Sequence, residues 1–141
     1  MENIKYHTIY LDGIDKTGKD TIAQYVIKLC NYKYIVNCRG IITQIAYNNL
    51  YNRDCHYSLD GQQNILNVLL TVDEDDWNIR CKLTNEPKID YNTHNKIFQD
   101  VYDTLNLQNL PTLSLNTSKM SPYQIALHIV NFMDALNRGI K

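Results

Sequence analysis

The sequence has little glycine and proline, 5 and 3 in 141 residues, and little phenylalanine and tryptophan, 2 and 1. With no glycine period, heptad run or low-complexity tract, collagen-like, coiled-coil and disordered classes are excluded. No apolar run approaches the roughly 18 residues of a membrane span, and Met1 to Lys5 lacks the basic-then-apolar profile of a secretory signal. An intracellular, cytoplasmic protein without a membrane partner is expected. The four cysteines, Cys30, Cys38, Cys55 and Cys81, form no C-x-x-C pair, which argues against zinc and against a disulfide framework. His7, His56, His94 and His128 give no i, i+4 pair, so neither a metal site nor a catalytic dyad is indicated. Excess basic charge is missing too. Lys and Arg total 14 against 15 Asp and Glu, for a net charge of −1, and no basic cluster appears, so nucleic acid is not an expected partner.

What is present is a 44% hydrophobic chain of one domain's length, expected to fold as a single unit over residues 1–141. Its 11 tyrosines carry no functional signal as a group. Tyr6 to Leu11 is short and rich in β-branched and aromatic residues, and it stops at Asp12-Gly13, as a strand entering a turn does. From Thr21, the residues Ile22, Tyr25, Val26 and Leu29 recur at helical spacing, and Tyr32 to Val36 is again strand-like. Ile41 to Leu50 predicts a helix, Asn52 to Gln63 a loop, and Ile65 to Val72 a buried central strand. Asp73 to Asp76 supplies acids suited to a helix N-terminus, read as a solvated helix start rather than a cation site, with the helix running through Trp77, Ile79 and Leu83. After a polar gap at Thr84 to Thr93, Ile97, Val101 and Leu105 form a helical stripe. Leu110 to Leu115 predicts a strand, and Ile125 to Leu136 a final helix opened by Ser121 and Pro122. This alternation predicts an α/β fold with parallel strands, helices on both faces and ligands beyond the strands' carboxyl ends.

Gly13-Ile14-Asp15-Lys16-Thr17-Gly18-Lys19 has G-x-x-x-x-G-K spacing between a predicted strand and a predicted helix. The glycines allow the backbone to wrap close to phosphates, successive amides and the helix N-terminus attract anions, and Lys19 neutralises phosphate charge. A shuffled chain of this composition shows the spacing about 1 time in 100. Asp20 stands where a Ser or Thr would ligate Mg²⁺, with Thr21 one place later. A carboxylate there is a hard-cation ligand, a helix-start charge or a repulsive neighbour of phosphate, and the sequence alone leaves these three open.

Tyr10 to Thr21 resembles the signature of thymidylate kinase-like P-loop nucleotide kinases. The resemblance implies that Asp15 faces the acceptor nucleotide or its metal, that Lys16 stands in for a loop arginine on the transferred phosphoryl group, and that Asp12 lies near the acceptor. Cys38-Arg39-Gly40-Ile41-Ile42-Thr43-Gln44-Ile45-Ala46-Tyr47 is similar to the family's Asp-Arg-Tyr-x-x-Ser-x-x-Ala-Tyr segment, with Arg39 on the acceptor phosphate and Cys38 replacing a carboxylate near Mg²⁺. Asn67 to Arg80 is similar to the family's strand, acidic turn and Arg-bearing helix. That implies a lid-side cation at Arg80, while Leu110 to Leu136 resembles the family's ending and implies adenine-side contacts at Asn116-Thr117-Ser118.

Where the family has a further strand, Leu29 runs almost directly to Tyr34. The implied fold is a three-layer P-loop kinase fold with a parallel sheet reduced to about four strands, ordered 2-1-3-4. Its acceptor pocket is small or rebuilt from Asn48 to Gln63, where Tyr47, Tyr51 and Tyr57 stack on a base or simply pack. The implied catalytic set is Lys19, Lys16, Asp15, Asp12 and Arg39. Cofactor contacts fall on Gly13, Asp15, Lys16, Thr17, Gly18, Lys19, Asp20, Thr21 and Arg80, and the metal contact on Asp20. The implied cofactors are ATP and Mg²⁺. The implied partner is a small-molecule nucleoside or nucleotide, with a homodimer as the assembly to test. A degenerate kinase fold that binds a nucleotide or a protein without turnover is the alternative.

Overall fold

The computed structural model describes residues 5–52, 61–84 and 90–139. Within them run β1 (Thr8–Asp12), α1 (Lys19–Leu29), β2 (Ile35–Cys38), α2 (Ile41–Leu50), a 3-10 turn (Gln62–Asn64), β3 (Ile65–Thr71), α3 (Glu74–Thr84), α4 (Tyr91–Leu107), β4 (Thr112–Asn116) and α5 (Pro122–Arg138). The four strands form one all-parallel sheet in the order β2-β1-β3-β4. This is an α/β fold of the P-loop kinase-like kind, with the reduced sheet and the strand order that the sequence predicts.

Side-chain alternation along the strands divides the core in two. Ile9 and Leu11 of β1, with Leu66, Val68 and Leu70 of β3, pack against Ile22 and Val26 of α1 and Ile125, Ile129 and Met133 of α5. On the opposite face Leu69 meets Ile42 and Ile45 of α2, Trp77 of α3, and Phe98, Val101 and Leu105 of α4. β3 is buried on both sides, which explains why its sequence is a near-continuous apolar run. α5 begins as its sequence predicts: Ser121 accepts from Gln124 N at 3.2 Å while Gln124 Oε1 accepts from Ser121 N at 3.0 Å, a reciprocal cap followed by Pro122.

Several boundaries move: β1 begins at Thr8 rather than Tyr6 and β4 at Thr112 rather than Leu110, and two shifts are larger. β2 covers Ile35–Cys38 rather than Tyr32 to Val36, because Asn31 and Tyr32 adopt left-handed backbone (φ 53° and 60°) as the chain leaves α1. The apolar character of Tyr34 serves core packing against α1 and α5 rather than a strand. The shift carries β2 to Cys38 beside Leu11 and sets Arg39 at the carboxyl edge of the sheet. α4 starts at Tyr91, earlier than its stripe from Ile97 shows, since its first turns carry Asn92, Thr93, Asn95 and Lys96 on the solvent side. Of the predicted loop Asn52 to Gln63, residues 53–60 lie outside the described residues, and with them Cys55, His56 and Tyr57.

Candidate phosphate-binding site

The segment after β1 closes into a tight loop because two glycines permit what other residues forbid. A Cβ on Gly13 would lie 2.5 Å from the Leu70 carbonyl oxygen and 3.1 Å from Thr17 Oγ1, so close approach to β3 requires glycine there. Gly18 sits at φ 85° with open space around it, so it is selected by conformation rather than by room. Lys16 also takes a left-handed backbone, φ 70°.

Two side chains of α3, three residues apart and so on one helix face, brace the outside of this loop. Trp77 Nε1 donates to the Asp15 carbonyl at 3.1 Å, and Arg80 Nη1 donates to the Lys16 carbonyl at 2.7 Å. Arg80 continues to Thr117, reaching Oγ1 at 3.2 Å, and Thr117 Oγ1 donates to Thr71 O at 2.8 Å. The loop is thereby tied to the ends of β3 and β4. Inside it, Thr17 Oγ1 donates to Ile14 O at 3.0 Å, and Lys19 Nζ donates to Gly13 O at 2.8 Å and Ile14 O at 3.0 Å. The Lys19 ammonium is thus held back over the loop.

The loop opens on a polar cavity of about 480 Å³ at the carboxyl edge of the sheet, into which Lys16, Lys19, Asp15, Asp20 and Arg39 all contribute. Burial lowers the pKa of Lys19, and the nearby Asp15 carboxylate opposes that shift. A partly desolvated ammonium gains most from an anion that shares its cavity. Asp20, in the first turn of α1, lies near the Cys38 thiol at the end of β2, and burial together with Asp20 pushes that thiol's pKa up. The two positions at which the sequence departs from the resembled motif are therefore neighbours. Among the described residues no cluster of three or more His, Cys, Asp or Glu could hold a metal by itself.

Asp12 occupies a different place. Its side chain is wholly buried, with Oδ1 accepting from Gly40 N at 2.7 Å, Thr43 N at 3.1 Å and Thr43 Oγ1 at 2.6 Å. It therefore caps the N-terminus of α2 from the end of β1 and locks the Arg39-Gly40 turn against the phosphate loop. Burial raises its pKa, with the bonds to Thr43 and Gly40 pulling the other way. Oδ2 has no partner among the described residues.

Lys16, Lys19, Asp15, Gly18, Asp20, Thr21 and Arg39 meet at one cavity. Gly13 and Thr17 form the loop's base. Arg80 faces a second, mainly apolar cavity of about 340 Å³ on the far side of the loop, lined also by Leu83, Thr117, Met120 and Ile125. Tyr47 lies 5.7 Å from Phe98 and 5.9 Å from Tyr51, ring to ring, so it packs between helices. The bracing by Trp77 and the cap from Asp12 to Thr43 escape sequence reading, because both depend on α3 and α2 folding back over the loop. No described helix is long and apolar enough to cross a membrane.

No protein-family model and no curated protein matches the sequence. Among solved structures, the chain is similar in fold to the Bacillus subtilis YorR protein, crystallised in complex with phosphorylated GDP. The TM-score is 0.72 at 15% identity, over 93% of this chain and 98% of that one.

Proposed function

We propose that this chain is an ATP-dependent, Mg²⁺-requiring phosphotransferase of thymidylate kinase-like type, acting on a nucleoside or nucleoside monophosphate. The observation that carries the reading is the convergence of Lys19, Lys16 and Arg39 on one cavity at the carboxyl edge of a parallel sheet, beside a loop only glycine can build. The nucleotide complex of the YorR protein, which shares the fold, supports it.

The triphosphate lies along the loop amides and the N-terminus of α1, with Lys19 leaving the Gly13 and Ile14 carbonyls to meet the β/γ-phosphates. The apolar cavity beside Arg80, Leu83 and Met120 takes the donor base, and Arg39 takes the acceptor phosphate or the moving phosphoryl group. Catalysis is by positioning and charge neutralisation, with Asp15 orienting the acceptor and Asp12 fixing the Arg39-Gly40 turn. Asp20 would hold a hard cation at this cavity, and the metal would supply charge neutralisation there when bound. The protein acts as one intracellular domain on a small-molecule nucleotide, without nucleic acid or membrane, and a homodimer is the assembly to test.

A second reading, nucleotide binding without turnover, is favoured by the thiol at Cys38 and the carboxylate at Asp20. A panel of nucleosides and monophosphates with ATP and Mg²⁺, followed by ADP formation, separates the two. Acceptor-dependent ADP release well above ATP hydrolysis alone is expected. ATP binding with no acceptor-dependent release from any member contradicts the phosphotransferase reading.

A further inference from the structure

The apolar cavity of about 340 Å³ beside Arg80 adjoins the phosphate cavity, because Lys16, Gly18 and Thr21 line both. One ligand can therefore span the two, with its charged part on the loop and an uncharged part against the apolar wall. Packing sets that wall. Ile22 of α1 and Ile125 of α5, each 1% exposed, form its floor as members of the core on that face of the sheet. Met120, in the turn after β4, packs on the same core, while Leu83 near the end of α3 is 80% exposed and stands at the mouth.

Among the described residues, no Asn, Gln, Asp or Glu lines this cavity. The polar side chains that do are engaged within the protein. Arg80 spends Nη1 on Lys16 O and Thr117 Oγ1, and Nη2 on Thr117 O. Thr117 Oγ1 donates in turn to Thr71 O, Thr17 Oγ1 donates to Ile14 O, and Thr84 Oγ1 donates to Cys81 O at 3.2 Å. Lys16 and Thr21 belong to the wall shared with the phosphate cavity. The neighbouring turn closes on itself as well. Asn116 Nδ2 donates to Asp73 Oδ1 at 2.9 Å, Asn116 Oδ1 accepts from Ser118 N at 2.8 Å, and Ser118 Oγ accepts from Asp73 N at 2.8 Å. The surface left for a ligand consists mainly of methyl and methylene groups.

We propose that this cavity holds the donor's base by shape and apolar contact alone, so that the donor is a purine nucleoside triphosphate of either kind rather than ATP specifically. The inference rests on the phosphotransferase reading for the presence of a donor. Adenine and guanine carry opposite polarity at one position of the same bicyclic frame, an amino donor against a carbonyl acceptor. Telling them apart takes a fixed polar partner for one of the two. A site that hydrogen-bonds a substrate group rejects the analogue lacking it by about 10⁴-fold or more, whereas an apolar pocket cannot strongly reject a ligand of the same shape. The volume lies at the low end of small-molecule sites, about 300–1,000 Å³, which suits one base. On this account Leu83 and Met120 recognise that a base is present and are indifferent to which purine it is.

Calorimetric titration of the intact protein with ATP, GTP and inorganic tripolyphosphate, each with Mg²⁺, tests the assignment. ATP and GTP are expected to bind within about 5-fold of each other, and both at least about 10-fold more tightly than tripolyphosphate. Leu83→Ala and Met120→Ala are each expected to lower ATP and GTP affinity by a common factor of about 3, through lost apolar contact, with tripolyphosphate unchanged. Leu83 is exposed, so its variant keeps the test valid if Met120→Ala does not fold. A larger difference between ATP and GTP, or a loss confined to one of them in Leu83→Ala, overturns the assignment and leaves the phosphotransferase reading intact. Tripolyphosphate binding within 10-fold of ATP, or no loss for either purine in Leu83→Ala, also overturns it, since the base then lies outside this cavity. Absence of binding by all three overturns the phosphotransferase reading, and this inference with it.

Discussion

Arg80→Ala is expected to loosen the phosphate loop from outside. In the native protein Arg80 Nη1 holds the Lys16 carbonyl at 2.7 Å and Thr117 Oγ1 at 3.2 Å, while Nη2 reaches Thr117 O at 3.4 Å. The first is a short, charge-assisted bond and the last is marginal. One good hydrogen bond from a charged donor contributes about 1.5–3 kcal/mol, and the half-buried setting argues for about 2 kcal/mol of stability. The bond also holds Lys16 in a left-handed conformation that costs a non-glycine residue roughly 1–2 kcal/mol. Without Arg80 that cost falls on nucleotide binding, so ATP affinity should drop about 5- to 30-fold, equivalent to roughly 1–2 kcal/mol. Urea unfolding measures the first effect and calorimetry the second. Arg80→Lys, able to reach one acceptor without the planar fork, should fall between. A folded Arg80→Ala protein that binds ATP as tightly as the wild type refutes the idea that α3 preorganises the loop.

Asp12→Ala strands the Gly40 and Thr43 amides and the Thr43 hydroxyl, and should cost about 3 kcal/mol in urea unfolding, at roughly 1 kcal/mol for each. Asp12→Asn, which keeps the Oδ1 acceptor, should cost less than half of that. Because burial raises the Asp12 pKa, the cost of its charge is full above that raised value and relieved as pH falls through it toward 3.8. Wild-type stability should therefore gain on the Asn variant over that window. Asp20→Asn should weaken ATP binding more with Mg²⁺ than with chelator. Tighter binding under both conditions would mean that Asp20 acts only as a repulsive charge. Arg39→Ala should leave ATP affinity nearly intact and slow phosphoryl transfer at least 10-fold, about 1.4 kcal/mol, and an equal loss of ATP affinity would move Arg39 to the donor side.

Local signals made the sheet, the phosphate loop and the final helix legible. The run from Ile65 to Val72 is buried on both faces, the Gly13 and Gly18 spacing is a backbone requirement, and Ser121 with Pro122 is a cap. Even the neighbourhood of Asp20 and Cys38 follows once β1 and β2 are adjacent. The edge of β2 was not legible, because Tyr32 and Tyr34 look like strand residues while one turns in a left-handed conformation and the other fills the core. Nor was the start of α4, whose first turns are polar. Arg80 reads from sequence as a lid cation, yet its guanidinium spans Lys16 and Thr117, residues 64 and 37 positions away. Pairings of that range, like the cap from Asp12 to Thr43, exist only after the layers pack.

The most direct test of the central claim is calorimetry of ATP with Mg²⁺ on the wild type and on Lys19→Ala. Lys19 Nζ is held over the loop by the Gly13 and Ile14 carbonyls, and burial disfavours its charge until an anion arrives. The account predicts a loss of about 2 kcal/mol or more, roughly 30-fold in affinity, in a variant that remains folded. Equal ATP affinity in the two proteins, or no ATP binding by either, would contradict it.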